Sequence, residues 1–479
     1  MTAALLLLLP VAMALAALAI PSNRLRPLVL PIGGFAHLGL TIAALLGERG
    51  GHTPDAWFGL DLPGRLVLGL ISPLFAVCGV YAVGYLRHRG VRPNRIFVAC
   101  LSALLGALTL VIFSRHLGLM WVAVEASALC AGPLIYFNRT ARSIEATWKY
   151  LLVGSVGVAL ALLGSFFLAY SALQSGQPSS LIFDDLFAIA PRLSKPWLHA
   201  AFVLLLVGYG TKMGLAPMHT WKPDAYGEAS GVVGAVLAGG VTSAAFLAIL
   251  RVVHLCNAAG EGPFVSRLLI LLGLVSMAVA GAFMVGQRDF KRMLAYSSVE
   301  HMGILALGVG VGGPALFGAL LHLVNNAFTK GVMFLSAGNI QRAYGSKSTT
   351  EVHGALTRLP FSATLFFAGF LAVTGSPPFG PFVSELTILT GTFGAGRFVT
   401  GGLFLFFLLV VFVGMGQTVL SVTQGTPPAE DRMTGFKDNV VTGLPVLGLL
   451  LVVLCLGLWV PAPLETLLRD TAAWLEVAR

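Results

Sequence analysis

Apolar residues run along this chain in blocks of about twenty, separated by short polar connections. A helix that is apolar all round belongs in a large core or a bilayer, and about 20 residues suffice to cross the hydrocarbon. The pattern predicts an all-α, polytopic membrane protein with about 14 transmembrane helices. They fall near 2–20, 28–47, 64–86, 95–113, 115–136, 147–173, 199–218, 229–254, 266–286, 292–312, 315–340, 360–390, 398–423 and 440–460. The first block has no basic residue before it and no clear small-residue cleavage site, so it is expected to be a membrane helix rather than a signal peptide. The longest connections, near 174–198 and 341–359, are too short for a separate soluble domain, so residues 1–479 are expected to form one transmembrane domain. The segment after Pro461 is amphipathic and is expected at the surface.

Composition strengthens this picture. Hydrophobic residues make up 57% of the chain and charged residues 10%, against about 25% charged in soluble domains. The net charge of +10 is spread over short connections, which excludes a nucleic-acid surface. Connections after odd-numbered segments carry 18 Lys and Arg, the even connections and tails carry 10, and Lys212 and Lys330 lie within segments. By the positive-inside rule the odd connections face the cytoplasm and both termini lie outside. The loop "RHRGVRPNR" at 87–95 is the richest of them. The five cysteines are dispersed in apolar sequence, and no dinucleotide, P-loop or haem-attachment motif occurs. No cofactor and no metal site is expected in this chain.

Few ionisable residues lie inside the segments, and Glu125, Lys212, Glu300, His301, His322, Lys330 and Glu385 are the candidates for function. Each charge at mid-membrane costs about 2.5–3.5 kcal/mol or more unless it is paired or faces water. Structural readings compete with functional ones. Glu125 and Lys330 could fix helix positions as ion-pair partners, His322 could hydrogen-bond a neighbouring helix, and Glu300–His301 could sit in the headgroup zone. Lys212 and Glu385 stand apart, because each lies beside a helix break: Pro217 follows the first in "TKMGLAP", and Pro377 and Pro378 precede the second in "TGSPPFGPFVSE". Proline frees backbone carbonyls, and in lipid these survive only against protein or a water-filled cavity. Paired broken segments in two halves point to an internal-repeat transporter with its site at mid-membrane. A buried lysine whose carboxylate partner comes and goes can release and regain a proton.

The stretches "GTKMGLAPMHTWKPDAYGEA", "DFKRMLAYSSVEHMGIL", "LLHLVNNAFTKGVMFLSAGNI" and "GSPPFGPFVSE" together resemble the antiporter-like proton-translocating subunits of complex I, Mrp-type antiporters and group 4 membrane-bound [NiFe]-hydrogenases. The likeness is greatest to component F of hydrogenase-4 type complexes. It implies two inverted five-helix repeats with broken helices, here at 95–256 and 266–423. It also implies a proton relay in which Glu125 partners Lys212, Lys330 and His322 form the centre, and Glu385 ends the path. The eighth segment offers only Thr242 and Ser243 where relatives often hold a lysine or histidine, and Asn326 stands where many have a second histidine. The relay from Lys212 to Lys330 is then expected to run through water or through Glu300–His301. The implied setting is a bacterial inner membrane, with other membrane subunits and a peripheral [NiFe]-hydrogenase-like, iron–sulfur redox arm as partners. Protons are the expected cargo, with sodium as a second candidate. The alternative is a subunit of complex I (NADH-quinone oxidoreductase) or of an Mrp-type antiporter.

Overall fold

The computed structural model describes residues 2–47, 57–87, 92–429 and 434–476, so residues 88–91 of the arginine-rich loop lie outside the described residues. The chain is helical nearly throughout. Its first half comprises α1 (Thr2–Ala19), α2 (Val29–Gly47), α3 (Leu62–Arg87), α4 (Arg95–Phe113), α5 (Leu117–Ile135), α6 (Ala141–Gln174), the short α7 (Phe183–Ala188), α8 (Lys195–Met213) and α9 (Trp221–Glu228). Then α10 (Gly231–Val236) and α11 (Thr242–Ala258) run on through one π-helical turn, Leu237–Val241. The second half comprises α12 (Gly262–Met284), α13 (Phe290–Val311), α14 (Pro314–Tyr344), the single turn α15 (Ala355–Arg358), α16 (Pro360–Val373), α17 (Gly380–Gly394), α18 (Phe398–Thr423), α19 (Val440–Leu458) and α20 (Ala462–Glu476).

Among the described residues, 11 helices are long and apolar enough to cross a membrane, and the chain is a multi-pass membrane protein. The predicted segments at 199–218, 315–340 and 360–390 are not among those 11. They coincide with α8–α9, α14 and α16–α17, which carry the two breaks and the buried Lys212, Lys222, His322, Lys330 and Glu385.

Burial separates a core from a lipid-facing shell. The stretch Gly231–Ala258 is buried over its whole most apolar window, whereas only 22% of that window is buried in α1 and 28% in α18. Outward-facing Leu8, Leu152, Phe398 and Val399 are exposed and apolar, as a bilayer solvent requires. Helix α14 occupies the middle of the second half and packs against α3, α10, α13, α16, α17 and α19. Two helix pairs approach closely because small residues meet. A Cβ on Gly208 would lie 2.6 Å from the Ala161 nitrogen, closing the α6–α8 seam, and one on Gly303 would lie 2.6 Å from the Gly273 oxygen, closing the α12–α13 seam.

One ion pair that the sequence pattern did not single out lies in the core. Arg251 on α11 is buried and binds Asp61 through two nitrogens at 2.8 and 2.9 Å. Its remaining donors reach the carbonyls of Val111, Ile112 and Ser114 at the end of α4. Here the guanidinium fork satisfies a helix terminus that lipid would leave unpaired. At the surface, α20 lies along α11 as an amphipathic helix, with Trp474 stacked on His254 at 3.6 Å between ring centroids.

Candidate functional site

The first break is built from its own carbonyls outward. Helix α8 stops at Met213 because Gly214 turns left-handed (φ 86°), and its N–H and that of Leu215 both reach the Gly210 carbonyl. Pro217, preceded by a cis peptide, prevents the helix from resuming until Trp221. The freed carbonyls find donors. The Trp221 indole binds Thr211 at 2.9 Å, Lys222 Nζ binds Met213 at 2.7 Å, and Ser276 Oγ of α12 accepts from the Ala216 N–H at 2.9 Å. In the last turn of α8, Lys212 is buried with its Nζ 3.7 Å from Glu125 Oε2 on α5 and 5.4 Å from the centre of the Tyr150 ring. Glu125 is 22% exposed and accepts from Ser155 Oγ at 2.8 Å. Gly154 makes room for the pair, since a Cβ there would lie 2.6 Å from Lys212 Nζ. The expected Glu125–Lys212 contact is therefore formed.

The second break follows the same logic. Helix α16 ends at Val373, Gly375 turns left-handed (φ 65°), and Pro377–Pro378 carry the chain to α17. Gly375 lacks the Cβ that would collide with the Glu385 carboxylate. Glu385 is 6% exposed, in the second turn of α17.

Between the breaks, α13 and α14 bring the other expected residues together. Lys330 Nζ donates to Ser297 Oγ at 2.6 Å. Ser297, Glu300 and His301 share one face of α13, being spaced i, i+3 and i+4. Glu300 and His301 are buried in the middle of α13, not near its end, so a headgroup location does not apply to them. His301 Nδ1 lies 2.8 Å from His322 Nε2, and His322 Nδ1 lies 2.9 Å from Ser384 Oγ, the residue before Glu385. The Ser384 hydroxyl also lies 3.0 Å from the Pro381 carbonyl, so its one proton can serve that carbonyl or His322 Nδ1, and the direction of the His301–His322 hydrogen bond follows the tautomer. Among the described residues, His301 Nε2 has no hydrogen-bond partner, nor do Glu300 Oε2, Glu385 Oε1 and both polar atoms of the Asn326 side chain. Buried polar groups are nearly always paired. A file of unpaired ones beside a histidine chain is suited to passing protons.

The ligand-type atoms of His301, His322 and Glu385 all lie within 4.8 Å of one another. Two nitrogens on one zinc, each at about 2.0–2.1 Å, would stand more than about 3 Å apart in tetrahedral geometry. The 2.8 Å between these two fits a hydrogen bond instead.

Two features escaped the sequence pattern. Lys222, grouped there with connection residues, is fully buried at the first break. Its only signal was a lysine next to the break in a chain so poor in charge. The serines at 297 and 384 carried no signal at all. A charged cavity of about 660 Å³ also opens beside α9, lined by Glu145, Lys149, Asp224, Glu228, Arg292 and Lys347. Asp224 binds Lys149 at 2.9 Å and also pairs with Arg292, and Lys347 binds Glu228 at 2.7 Å.

Residues 114–414 match the family model described as NADH:quinone oxidoreductase/Mrp antiporter, transmembrane. The chain belongs to this family. It is 33% identical over 360 residues to a hydrogenase-4 component F homolog of Methylacidiphilum infernorum, covering 74% of this chain and 75% of that protein. It is 32% identical over 414 residues to NADH-quinone oxidoreductase subunit N of Desulforudis audaxviator, covering 82% and 81%. In fold, the antiporter-like subunit matches a chain of an archaeal membrane-bound sulfane sulfur reductase with a TM-score of 0.88. The match has 21% identity and covers 99% of this chain and 97% of that one. A chain of the Mrp complex from Dietzia matches with a TM-score of 0.86 at 21% identity, with the same coverage.

Proposed function

We propose that this subunit translocates protons within a hydrogenase-4-like respiratory complex, while partner subunits, including a [NiFe]-hydrogenase-like arm with iron–sulfur centres, perform the redox chemistry. The observation that carries the reading is the hydrogen-bonded chain His301–His322–Ser384, which leads to the residue before Glu385, together with the buried Lys330–Ser297 contact and the Lys212–Glu125 pair at the other break. Glu125, Lys212, Glu300, His301, His322, Lys330 and Glu385 form the relay. A proton crossing 100 mV gains or loses about 2.3 kcal/mol, so the coupling comes from a partner's reaction or from another ion gradient.

The reading includes 14 crossings, with α8–α9, α14 and α16–α17 added to the 11 apolar helices, and two inverted repeats. The repeat is supported by the packing: α8 lies against α6, and α16 and α17 lie against α14. It is supported too by a glutamate on the second helix of each repeat, Glu125 and Glu300. Both termini lie outside a bacterial inner membrane. Reporter fusions after Arg92 and Arg142 should then report cytoplasm and a C-terminal fusion the outside; a cytoplasmic C-terminus would refute the count.

Similarity to subunit N over 82% of the chain favours a second reading, a subunit of a complex I-like enzyme, with an Mrp-type antiporter behind it. Purifying the complex through a tag on this chain and identifying the co-purifying subunits separates them. A nickel-containing large subunit supports the first reading, an NADH-oxidising arm the second, and neither would leave the antiporter. Inside-out vesicles given hydrogen or NADH should acidify, and failure with both donors refutes redox-driven translocation. A sodium requirement for that acidification would make sodium a second cargo.

A further inference from the structure

The two halves of the relay need a carrier between them, and the eighth segment cannot provide one. Thr242 and Ser243 have no acid–base chemistry near neutral pH, and their hydroxyls donate to the carbonyls of Ala238 and Gly239 at 2.5 and 2.6 Å. Lys222 occupies the gap. It is fully buried, and its ammonium reaches both halves: 2.7 Å to the carbonyl of Met213, the neighbour of Lys212, and 3.5 Å to the carbonyl of Ser298, the neighbour of Ser297 that holds Lys330. The Tyr226 ring lies 5.6 Å from it, and among the described residues no carboxylate lies within ion-pair distance. The backbone is shaped around this side chain, because a Cβ on Gly214 would lie 2.6 Å from Lys222 Nζ. A lysine held only by neutral carbonyls can lose its proton without leaving a carboxylate behind.

We propose that Lys222 is a proton-carrying residue that joins the Lys212–Glu125 pair to the Lys330–His301 group across the first helix break. The proposal rests on the proton-translocating reading above. Its chemistry balances simply: the neutral amine takes a proton handed on from the Lys212 side, becomes ammonium, and returns that proton to an acceptor on the α13 side, where Glu300 Oε2 and His301 Nε2 have no hydrogen-bond partner among the described residues. The competing role is structural, with Lys222 serving only to satisfy the Met213 carbonyl freed by the break.

Three variants of the whole complex separate the two roles. Lys222→Arg keeps charge and donors but cannot lose its proton, Lys222→Gln keeps donors without charge, and Lys222→His keeps a donor and can exchange a proton. Each is measured for assembly, for redox turnover, and for vesicle acidification with hydrogen or NADH as donor. The expectation is acidification lowered at least about tenfold by Gln and by Arg in assembled complexes, with substantial recovery by His. Glu385→Gln in parallel vesicles tests the underlying reading. If Glu385→Gln blocks acidification while Lys222→Gln or Lys222→Arg leaves it at wild-type level, the carrier role of Lys222 is overturned and the relay stands. If Glu385→Gln also pumps normally, the translocation reading fails first. Should both Gln and Arg prevent assembly, His recovering assembly without acidification would likewise overturn the proposal.

Discussion

Removing one member of the Lys212–Glu125 pair should cost more than removing both. At 3.7 Å and an effective dielectric constant of about 20, the attraction is roughly 4.5 kcal/mol. Desolvation offsets most of that, since placing each ion in a low-dielectric interior costs several kcal/mol. The net contribution of the pair is therefore small, while half of it is a liability. The two halves differ. Glu125→Gln strands an ammonium that is 1% exposed, and about 3–5 kcal/mol of destabilisation is expected. Lys212→Met strands a carboxylate that is 22% exposed and still bonded to Ser155, so a smaller cost of about 2–3 kcal/mol follows. The double variant Glu125→Gln with Lys212→Met should lie within about 1–2 kcal/mol of wild type, giving a coupling energy of at least about 3 kcal/mol. Assembled complex recovered in detergent, together with unfolding midpoints of the purified complex for the four proteins, measures this cycle. Lys212→Met and the double variant should both abolish vesicle acidification. Additive costs in the cycle would show that the two residues are not energetic partners, and the alternating contact at the first break would fall with them.

At the other break, Glu385→Gln should assemble and lose translocation, because the amide retains shape without an exchangeable acid; Glu385→Lys should be milder, and normal pumping by Glu385→Gln would make the residue structural. Gly154→Ala adds only a methyl, yet it would sit 2.6 Å from Lys212 Nζ, so acidification should fall several-fold in a fully assembled complex, and an unchanged rate would mean Lys212 has room to spare. Arg251→Met leaves Asp61 buried with the Gly64 N–H at 2.9 Å and one longer ion-pair contact, Arg115 at 3.5 Å, and should destabilise by about 3–5 kcal/mol on thermal unfolding. Adding Asp61→Asn should restore part of that loss, and no recovery would mean the carbonyl contacts of Arg251 matter more than its charge.

The sequence by itself determined the class of the protein, its most apolar helices and the ionisable residues that stand out within them. These rest on short-range information. About 20 apolar residues in a row specify a spanning helix whatever surrounds them. A proline after Lys212 or before Glu385 breaks its helix locally, and ionisable groups stand out in apolar sequence without reference to any partner. Tertiary structure alone decided what those groups touch. Serines occur throughout the chain, and only the packing of α13 against α14 and of α14 against α17 selects Ser297 and Ser384 as the contacts of Lys330 and His322. Depth was likewise undetermined. Lys222 reads as a loop residue until the chain folds back at Gly214 and aims its side chain at the end of α8, and Arg251 reads as a helix-end residue until Asp61 meets it from 190 positions away. Hydropathy records how well a segment suits lipid on average, whereas a buried charge is tolerated through particular donors and acceptors brought from distant segments, which no local pattern encodes.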